Sequence, residues 1–196
     1  SIPFEIIVVD NCSDIATVDM LAEIHGVTLI RNKKNVGYPA GCNIGVTAAR
    51  GDVIWLLNND TLVPRGSLER MLSLLLSDSS IGIVGPVTNN TSGIQQIPVE
   101  YTSEDEMWDF AHKVAVQNRL QTKKVLRLVG FSLLMRKSTF LEIGGLEETM
   151  GLGTFEDDIL SARVASRGYD LFVAMDSFIY HIGNASFKER GGYLDI

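Results

Sequence analysis

Three consecutive carboxylates, Glu156, Asp157 and Asp158, follow a glycine-rich run at the start of a predicted helix. Acidic side chains suit the first turn of a helix, near the positive end of its dipole, and Thr154 can serve as its N-cap. No Lys or Arg stands three or four residues later to pair with the cluster. We therefore expect a distant Arg, a metal or a substrate to compensate the negative charge of the cluster. A structural cap and a functional acid or base both stay open.

Asp60 closes the segment NND, residues 58–60, directly after an apolar run. An isolated carboxylate at such a position needs a cation or amide donors. Hard cations such as Mg²⁺ take one or two protein carboxylates and fill their remaining positions with phosphate oxygens and water. The segment thus indicates a metal–diphosphate site, with capping of the turn before Pro64 as the structural alternative.

Two further stretches combine polar residues with a place beside a predicted element. NKKNVGYPAGCN, residues 32–43, precedes and opens a helix, so its backbone and lysines could approach a phosphate or a sugar. It is neither a P-loop nor a dinucleotide fingerprint, and a turn plus cap is its structural alternative. His181 ends the apolar run FIYH and is either a hydrogen-bonded rim residue or a ligand.

Strand and helix patterns alternate through the first half of the chain, which predicts an α/β sheet with mainly parallel strands. The predicted strands are FEIIVVDN, VTLIRN, DVIWLLNND and IGIVGP, and the predicted helices are SDIATVDMLAEIHG, YPAGCNIGVTAARG and PRGSLERMLSLLLSD. Ligands bind outside the carboxyl ends of the strands in such sheets. Asp10 and Asn11 should therefore share one rim of the sheet with residues 58–60.

The second half predicts one long helix and a more irregular arrangement around the acidic cluster. The helix is SEDEMWDFAHKVAVQNRL, capped by Ser103. A strand region, KVLRLVGFSLLMRK, is expected to bend at Gly130. A short helix, the acidic helix to Gly168 and the strand YDLFVAM follow. We expect a single domain over residues 1–196.

Composition excludes some classes of function. The 196 residues carry a net charge of −7 with a pI near 4.9, which argues against a general nucleic-acid binder. No apolar run reaches the length that spans a bilayer, and no signal peptide is visible. Cys12 and Cys42 fit neither a metal spacing nor a disulfide framework. The expected location is the cytoplasm, including the inner face of the membrane.

The order of the motifs resembles the family 2 glycosyltransferases over nearly the whole chain. It runs EIIVVDNCS, NKKNVGYPAGCNIGVTAARGDVIWLLNNDT, GPVTNNTSG, VGFSLLMRKSTFLEIGGL and FEDDILSARVASRGYDLFVAMDSFIYHIGNASF. The resemblance implies the A-type nucleotide-sugar transferase fold, a Rossmann-like α/β/α sandwich. Within the family, the sequence is most similar to the bacterial rhamnosyltransferase-like and O-antigen polysaccharide branch.

The resemblance also implies a role for individual residues. Asp10 would contact the nucleotide base, and Asp60 would bind Mg²⁺ or Mn²⁺ on the donor diphosphate, with His181 as a further metal or diphosphate contact. Asn58 stands at the first acidic position of the DxD motif. The residues that line the donor site would be Asn35, Gly37, Asn43, Asn58 and Asn59.

On the acceptor side, the resemblance makes Asp157 the general base and places Glu156 beside it. The base would remove the proton of an acceptor hydroxyl, on a glycan or a lipid-linked acceptor, while that oxygen attacks the anomeric carbon of a nucleoside-diphosphate-sugar. One displacement without a carboxylate nucleophile inverts the anomeric configuration. Ile159 departs from the family's EDxD pattern at its last acidic position.

The family usually begins with a central strand and a helix ahead of EIIVVD, and this sequence lacks both. We therefore expect a fragment of a longer protein, with unpaired backbone groups in its sheet. Two other functions stay open. A nucleotidyltransferase would release pyrophosphate, and it would carry a glycine-rich, basic N-terminal signature that is not seen here. A non-catalytic nucleotide-sugar or glycan-binding module would bind its ligand without turnover.

Overall fold

A computed structural model describes residues 2–149 and 155–183 of the chain. Its strands are β1 (Ile6–Asp10), β2 (Val27–Arg31), β3 (Val53–Leu57), β4 (Thr61–Leu62), β5 (Ile81–Val87), β6 (Thr122–Val125), β7 (Ser132–Arg136), β8 (Asp170–Phe178) and β9 (Tyr180–His181). Its helices are α1 (Ile15–Ala22), α2 (Tyr38–Ala48), α3 (Ser67–Ser77), α4 (Glu104–Gln117), α5 (Lys137–Glu142) and α6 (Glu156–Ser166). All of the elements predicted in the first half are present, and β4 is an addition to them.

Within the described residues, five strands form the central sheet in the order β3-β7-β5-β8-β6. β5 and β8 are parallel, whereas β7 runs antiparallel to both β3 and β5, and β6 runs antiparallel to β8. The predicted α/β class is confirmed, but the sheet is mixed rather than mainly parallel. The physical reason is that β7, from the second half of the chain, inserts between β3 and β5 in the opposite direction.

The predicted strand region around Gly130 is two strands instead of one bent strand. β6 and β7 lie at different positions in the sheet, and residues 126–131 connect them. Because β6 lies at the edge of the sheet and β7 lies in its interior, this connection passes along one end of the sheet, over β8 and β5. It brings Gly130 to the carboxyl end of β3, where the backbone N–H of Asn58 donates to the carbonyl of Phe131 (2.9 Å).

Helices cover both faces of the central sheet, as a sandwich requires. On one face, Met71 and Leu75 of α3 are fully buried against a cluster that includes Phe131 and Leu134. The larger cluster on the other face takes its residues from α2, α4, α5 and α6. Consecutive residues of β7 alternate between the two clusters, in keeping with the two-residue period of a strand.

β1 and β2 form a separate parallel pair beside the central sheet. In the described part of the chain, β1 pairs only with β2 and β3 pairs only with β7. α2 connects the β1–β2 pair to the central sheet. Asn11, after β1, donates to the carbonyl of Gly37 at the start of α2 (3.0 Å), and Glu5, before β1, accepts the N–H of Arg50 just after the end of α2 (2.6 Å). The carboxyl ends of β1 and β3 therefore lie on the same rim, as the sequence predicts.

No helix among the described residues combines the length and apolar character needed to cross a membrane.

Candidate functional site

Asp60 and His181 are 121 positions apart in the sequence, yet the structure brings their side chains together. β4 pairs antiparallel with β9, with Thr61 opposite His181. Asp60 Oδ1 lies 3.3 Å from Nε2 of His181, and its Oδ2 accepts the backbone N–H of Gly183 (3.1 Å). Both side chains are nearly nine-tenths buried. The two residues that the sequence assigned to a metal thus form one pair.

The imidazole of His181 is fixed by three neighbours. Its Nδ1 is 2.8 Å from the carbonyl oxygen of Asn90, while Asn89 exchanges two hydrogen bonds with the backbone of His181. The ring stacks on Phe131 at a centroid distance of 5.0 Å. Because a carbonyl can only accept, Nδ1 carries the proton in the neutral ring, and the lone pair of Nε2 points to the side of Asp60.

This pair suits a divalent cation. Nε2 of His181 is buried and makes no hydrogen bond within the described residues, although a carboxylate oxygen of Asp60 lies close to it. In this buried place, a proton on Nε2 or a bound cation would supply the positive charge that the Asp60 carboxylate needs. The described residues contain no group of three or more His, Cys, Asp or Glu side chains that could enclose a metal. A hard cation with few protein ligands and an open side for phosphate oxygens fits such a pair.

Asp157 lies in the first turn of α6 and is held by backbone donors. Its Oδ2 accepts the N–H of Gly130 (3.0 Å), and its Oδ1 accepts the N–H of Asp158 (2.9 Å). The carbonyl of Gly130 in turn accepts the hydroxyl of Tyr38 (3.2 Å), at the start of α2. A Cβ atom added to Gly130 would be 3.3 Å from Cβ of Asp157, so glycine allows this close approach.

A distant arginine partly neutralises the acidic cluster. Arg127, in the connection between β6 and β7, forms an ion pair with Asp158, and its Nη2 is 3.8 Å from Oδ2 of Asp157. The expected external partner is therefore an Arg. The helix begins at Glu156, with Phe155 at the N-cap position in the left-handed conformation (φ 66°) and no side-chain cap. Thr154, the cap proposed from the sequence, lies outside the described residues.

Among the described residues, Glu156 differs from its two acidic neighbours because its side chain has no hydrogen-bond or ion-pair partner. Its Oε2 is buried without a hydrogen bond within the described residues. Burial raises the pKa of Glu156, and repulsion from Asp157 and Asp158 raises it further. Glu156 also acts electrostatically on Cys42 of α2, whose own burial raises its pKa to about 12. The cluster thus contains a hydrogen-bonded carboxylate, Asp157, beside Glu156, whose charged form is disfavoured by burial.

Asp10 is buried at the end of β1 and accepts the N–H of Ser13 (2.9 Å). Hydrogen bonds from Ser13 lower the pKa of Asp10, with a smaller contribution from Arg31 at 3.9 Å. Its second oxygen, Oδ2, has no hydrogen-bond partner in the described residues, so one acceptor remains for a ligand. Asn35 accepts the N–H of Gly37 (2.9 Å), whose φ of 88° sets the sharp entry into α2.

Asn43 connects α2 to residues 146–148 through hydrogen bonds of its side chain. Its amide exchanges two hydrogen bonds with the backbone of Leu146 and donates to Glu148 (2.7 Å). It thereby fastens α2 to the connection that leads to the acidic cluster, and a donor-binding role for it stays a prediction. Asn58 is half-buried beside Phe131, and Asn59 is exposed at the turn between β3 and β4.

Sequence reasoning missed the residues that support the site from a distance. Arg127, Asn89 and Tyr38 have no characteristic spacing relative to Asp157 or His181, because their contacts arise only in the folded chain. The buried Gln95 is a further example, since its side chain accepts the N–H of Val129 (2.7 Å). Two features of the sequence could have indicated these supporting residues, namely the bend expected at Gly130 and the polar segment TNNTSG.

The Glycosyl transferase family 2 model matches residues 1–144. An uncharacterized glycosyltransferase of Haemophilus influenzae is 24% identical over 151 residues, which cover 75% of this chain and 48% of that protein. The inactive polypeptide N-acetylgalactosaminyltransferase-like protein 5 of Macaca fascicularis is 26% identical over 206 residues, which cover 97% and 46% of the two chains. The chain spans about half the length of these curated relatives.

Solved structures with the same fold include GalNAc-T7 with UDP, GalNAc and Mn²⁺, with a TM-score of 0.68 and 18% identity over 90% of this chain and 37% of that one. The mannosyltransferase PcManGT from Pyrobaculum calidifontis, in complex with GDP-Man and Mn²⁺, has a TM-score of 0.63 and 19% identity over 95% and 51%. S. aureus TarS has a TM-score of 0.64 and 15% identity over 95% and 53%. The fold is thus of the GT-A type.

Replacing Glu156 should stabilise the protein in a pH-dependent way. Because the folded pKa of Glu156 is raised, its ionisation destabilises the fold as the pH rises above the unfolded value of about 4.3. Glu156→Gln should therefore increase the free energy of unfolding at pH 7, and the gain should vanish below about pH 4. Urea denaturation at several pH values measures this. Glu100→Gln, on the exposed surface, is the control, and a variant less stable than wild type at pH 7 would refute the assignment.

Proposed function

The chain belongs to glycosyl transferase family 2, and we propose that it carries out an inverting, metal-dependent sugar transfer. The donor is a nucleoside-diphosphate-sugar, and the acceptor is a hydroxyl of a glycan or lipid-linked sugar in bacterial polysaccharide or cell-surface glycan synthesis. The observation that carries the proposal is the buried pair of Asp60 and His181, whose facing acceptor atoms are 3.3 Å apart. Two neighbours of the same fold were solved with Mn²⁺ and a nucleotide or nucleotide-sugar, which supports the same ligands here.

On the donor side, Asp60 and His181 would hold Mg²⁺ or Mn²⁺. The metal, when bound, would offset the charge that develops on the nucleoside-diphosphate leaving group. Asp10 offers to a donor group of the nucleotide base its Oδ2, which accepts no hydrogen bond within the described residues. The backbone at Asn35 and Gly37, held by the Asn11 amide, forms the adjacent wall of the donor site.

On the acceptor side, Asp157 acts as the general base. The acceptor oxygen forms a bond to the anomeric carbon as the bond from that carbon to the diphosphate oxygen breaks, and the hydroxyl proton passes to the Asp157 carboxylate. The backbone N–H of Gly130 orients the carboxylate for this transfer. Since no second carboxylate has to attack the sugar, a single displacement inverts the anomeric configuration.

Glu156 is a second candidate for the base, and one observation favours it. A raised pKa makes a carboxylate a stronger proton acceptor, and Oε2 of Glu156 has no hydrogen-bond donor in the described residues. The carboxylate of Asp157, by contrast, already accepts two backbone N–H groups and lies near Arg127. We keep Asp157 as the base, in line with the family motif, and place Glu156 beside it on the acceptor side.

A non-catalytic nucleotide-sugar-binding module is the alternative function. Asn58 at the first acidic position of the NND segment and Ile159 after the acidic cluster depart from the catalytic pattern. A relative that is 26% identical carries the name of an inactive transferase. Such a module would bind the donor but would not release the nucleoside diphosphate.

Metal-dependent donor binding should depend on Asp60. Calorimetry with UDP, dTDP and GDP, each with and without Mn²⁺, should reveal one nucleotide whose binding requires the metal. Asp60→Asn should weaken that binding by at least about tenfold, because a neutral amide cannot offset the cation's charge. Asp52→Asn, on the exposed surface, is the matched control. Metal-independent binding, or equal affinity in both variants, would refute the metal assignment.

The base assignment predicts a loss of rate without a loss of donor binding. Asp157→Asn should slow nucleoside-diphosphate release from the corresponding nucleotide-sugar by roughly 10²- to 10⁴-fold, the usual contribution of a general base. Donor affinity should be retained, since Asp157 lies on the acceptor side. Asp158→Asn is the matched control and should slow nucleoside-diphosphate release far less. If Glu156→Gln abolished turnover while Asp157→Asn did not, the two roles would be reversed; a wild-type chain that binds donor without turnover would support the binding module.

A further inference from the structure

A groove between α3 and α4 lies outside the site described above. Two adjoining cavities of about 380 and 470 Å³ form it, and they share Arg70, His112 and Ala115. Cavities of this size accommodate small ligands. None of the residues assigned to donor, metal or base lines this α3–α4 groove. It therefore offers a binding surface that the proposed chemistry does not use.

The α3–α4 groove is positively charged although the chain carries a net charge of −7. Arg65, Arg70 and Arg119 line it, against a single lining carboxylate, Asp176. Asp176 is buried and accepts the backbone N–H of Leu120 (2.9 Å). Within the described residues, none of the three arginines has a carboxylate within 4.0 Å. The groove thus presents three guanidinium groups that lack close counter-charges.

Arg70 is held in place for an anion. A Cβ atom at Gly66 would be 2.5 Å from Nη1 of Arg70, so glycine, with a φ of 80°, makes room for the guanidinium. Nη2 makes two long hydrogen bonds of 3.3 and 3.4 Å, and Nε is buried without an acceptor in the described part of the chain. Burial lowers the pKa of Arg70 despite the influence of Asp176 and Glu69, which indicates incomplete compensation of its charge.

An aromatic surface lies beside the guanidinium groups. Trp108, His112 and Ala115 occupy one face of α4 and line the groove, next to the buried face formed by Met107 and Ala111. Trp108 is 37% exposed, and its ring makes no aromatic pair within the described residues. A partly exposed indole next to polar groups suits a ligand with one apolar face and several hydroxyls, which is the character of a pyranose ring.

The groove is close to the proposed reaction centre along the chain. Val63 lines it and is three residues after Asp60. Three extended residues span at most about 11 Å. A sugar in the groove could therefore belong to the same oligosaccharide as a sugar next to the donor.

We propose that the α3–α4 groove binds an anionic sugar of the acceptor, with Arg65 and Arg70 pairing with its carboxylate or phosphate and Trp108, which lines the same cavity, covering one face of its ring. The proposal rests on the glycosyltransferase function and gives that function an acceptor class, an acidic glycan. The groove selects the acceptor at a unit removed from the reacting hydroxyl.

The indole N–H signal of Trp108 in the ¹⁵N-labelled chain provides a direct test. The signal is assigned by its loss in Trp108→Phe, and it is followed during titration with glucose 6-phosphate, glucuronate, neutral glucose and inorganic phosphate. At least one of the two anionic sugars should shift it saturably and more tightly than glucose or phosphate does, and added salt should weaken the binding. The sugar that binds more tightly identifies phosphate or carboxylate as the recognised group.

Charge variants separate the groove from the rest of the surface. Arg65→Gln should weaken anionic-sugar binding by about tenfold, the value of one charge-assisted hydrogen bond. Lys113→Gln removes the same charge from an exposed position of α4 that does not line the groove, and it should have no such effect. Asp60→Asn should keep anionic-sugar binding while losing metal-dependent nucleotide binding, so the two proposals fail separately. No response of Trp108, equal binding of inorganic phosphate, or equal effects of Arg65→Gln and Lys113→Gln would overturn the proposal.

Discussion

Two consecutive residues, Gly130 and Phe131, connect the two halves of the candidate site. The N–H of Gly130 donates to Asp157, while the carbonyl of Phe131 accepts from Asn58 and its ring stacks on His181. Neighbouring Cα atoms are about 3.8 Å apart, so the carboxylate of Asp157 and the imidazole of His181 are held against adjacent residues. Sugar transfer requires such a fixed separation, because the acceptor oxygen and the leaving group must stay aligned across one anomeric carbon.

The connection between β6 and β7 can hold this position because it is anchored on three sides. The side chain of Gln95 accepts the N–H of Val129, and the hydroxyl of Ser161 in α6 accepts the N–H of Leu128. Tyr38 in α2 donates to the carbonyl of Gly130. Gln95 and Ser161 are both buried. Buried polar groups with satisfied partners define one arrangement of a loop. The rim of the sheet is thereby set before any substrate binds.

Local patterns in the sequence predicted much of the fold but little of this network. The strand β3 and the helix α3 follow directly from an apolar run and an amphipathic period, and the family motifs pointed to Asp60, His181 and Asp157. Local patterns did not predict that β7 lies between β3 and β5 and runs antiparallel to both. Strand pairing depends on contacts between residues that are remote in sequence. An arginine was only one of three partners expected for the acidic cluster, beside a metal and a substrate, because nothing in the spacing of Arg127 links it to the acidic helix.

The central claim is that the backbone at Gly130 positions Asp157 for catalysis. The most direct measurement is the rate of sugar transfer by Gly130→Ala, together with metal-dependent donor binding. The added Cβ would be 3.3 Å from Cβ of Asp157 and must displace the side chain by a few tenths of an ångström. The account predicts a loss of rate of about tenfold with unchanged donor affinity, whereas Gly51→Ala, outside the site, should behave as wild type. An unchanged rate in Gly130→Ala would contradict the account.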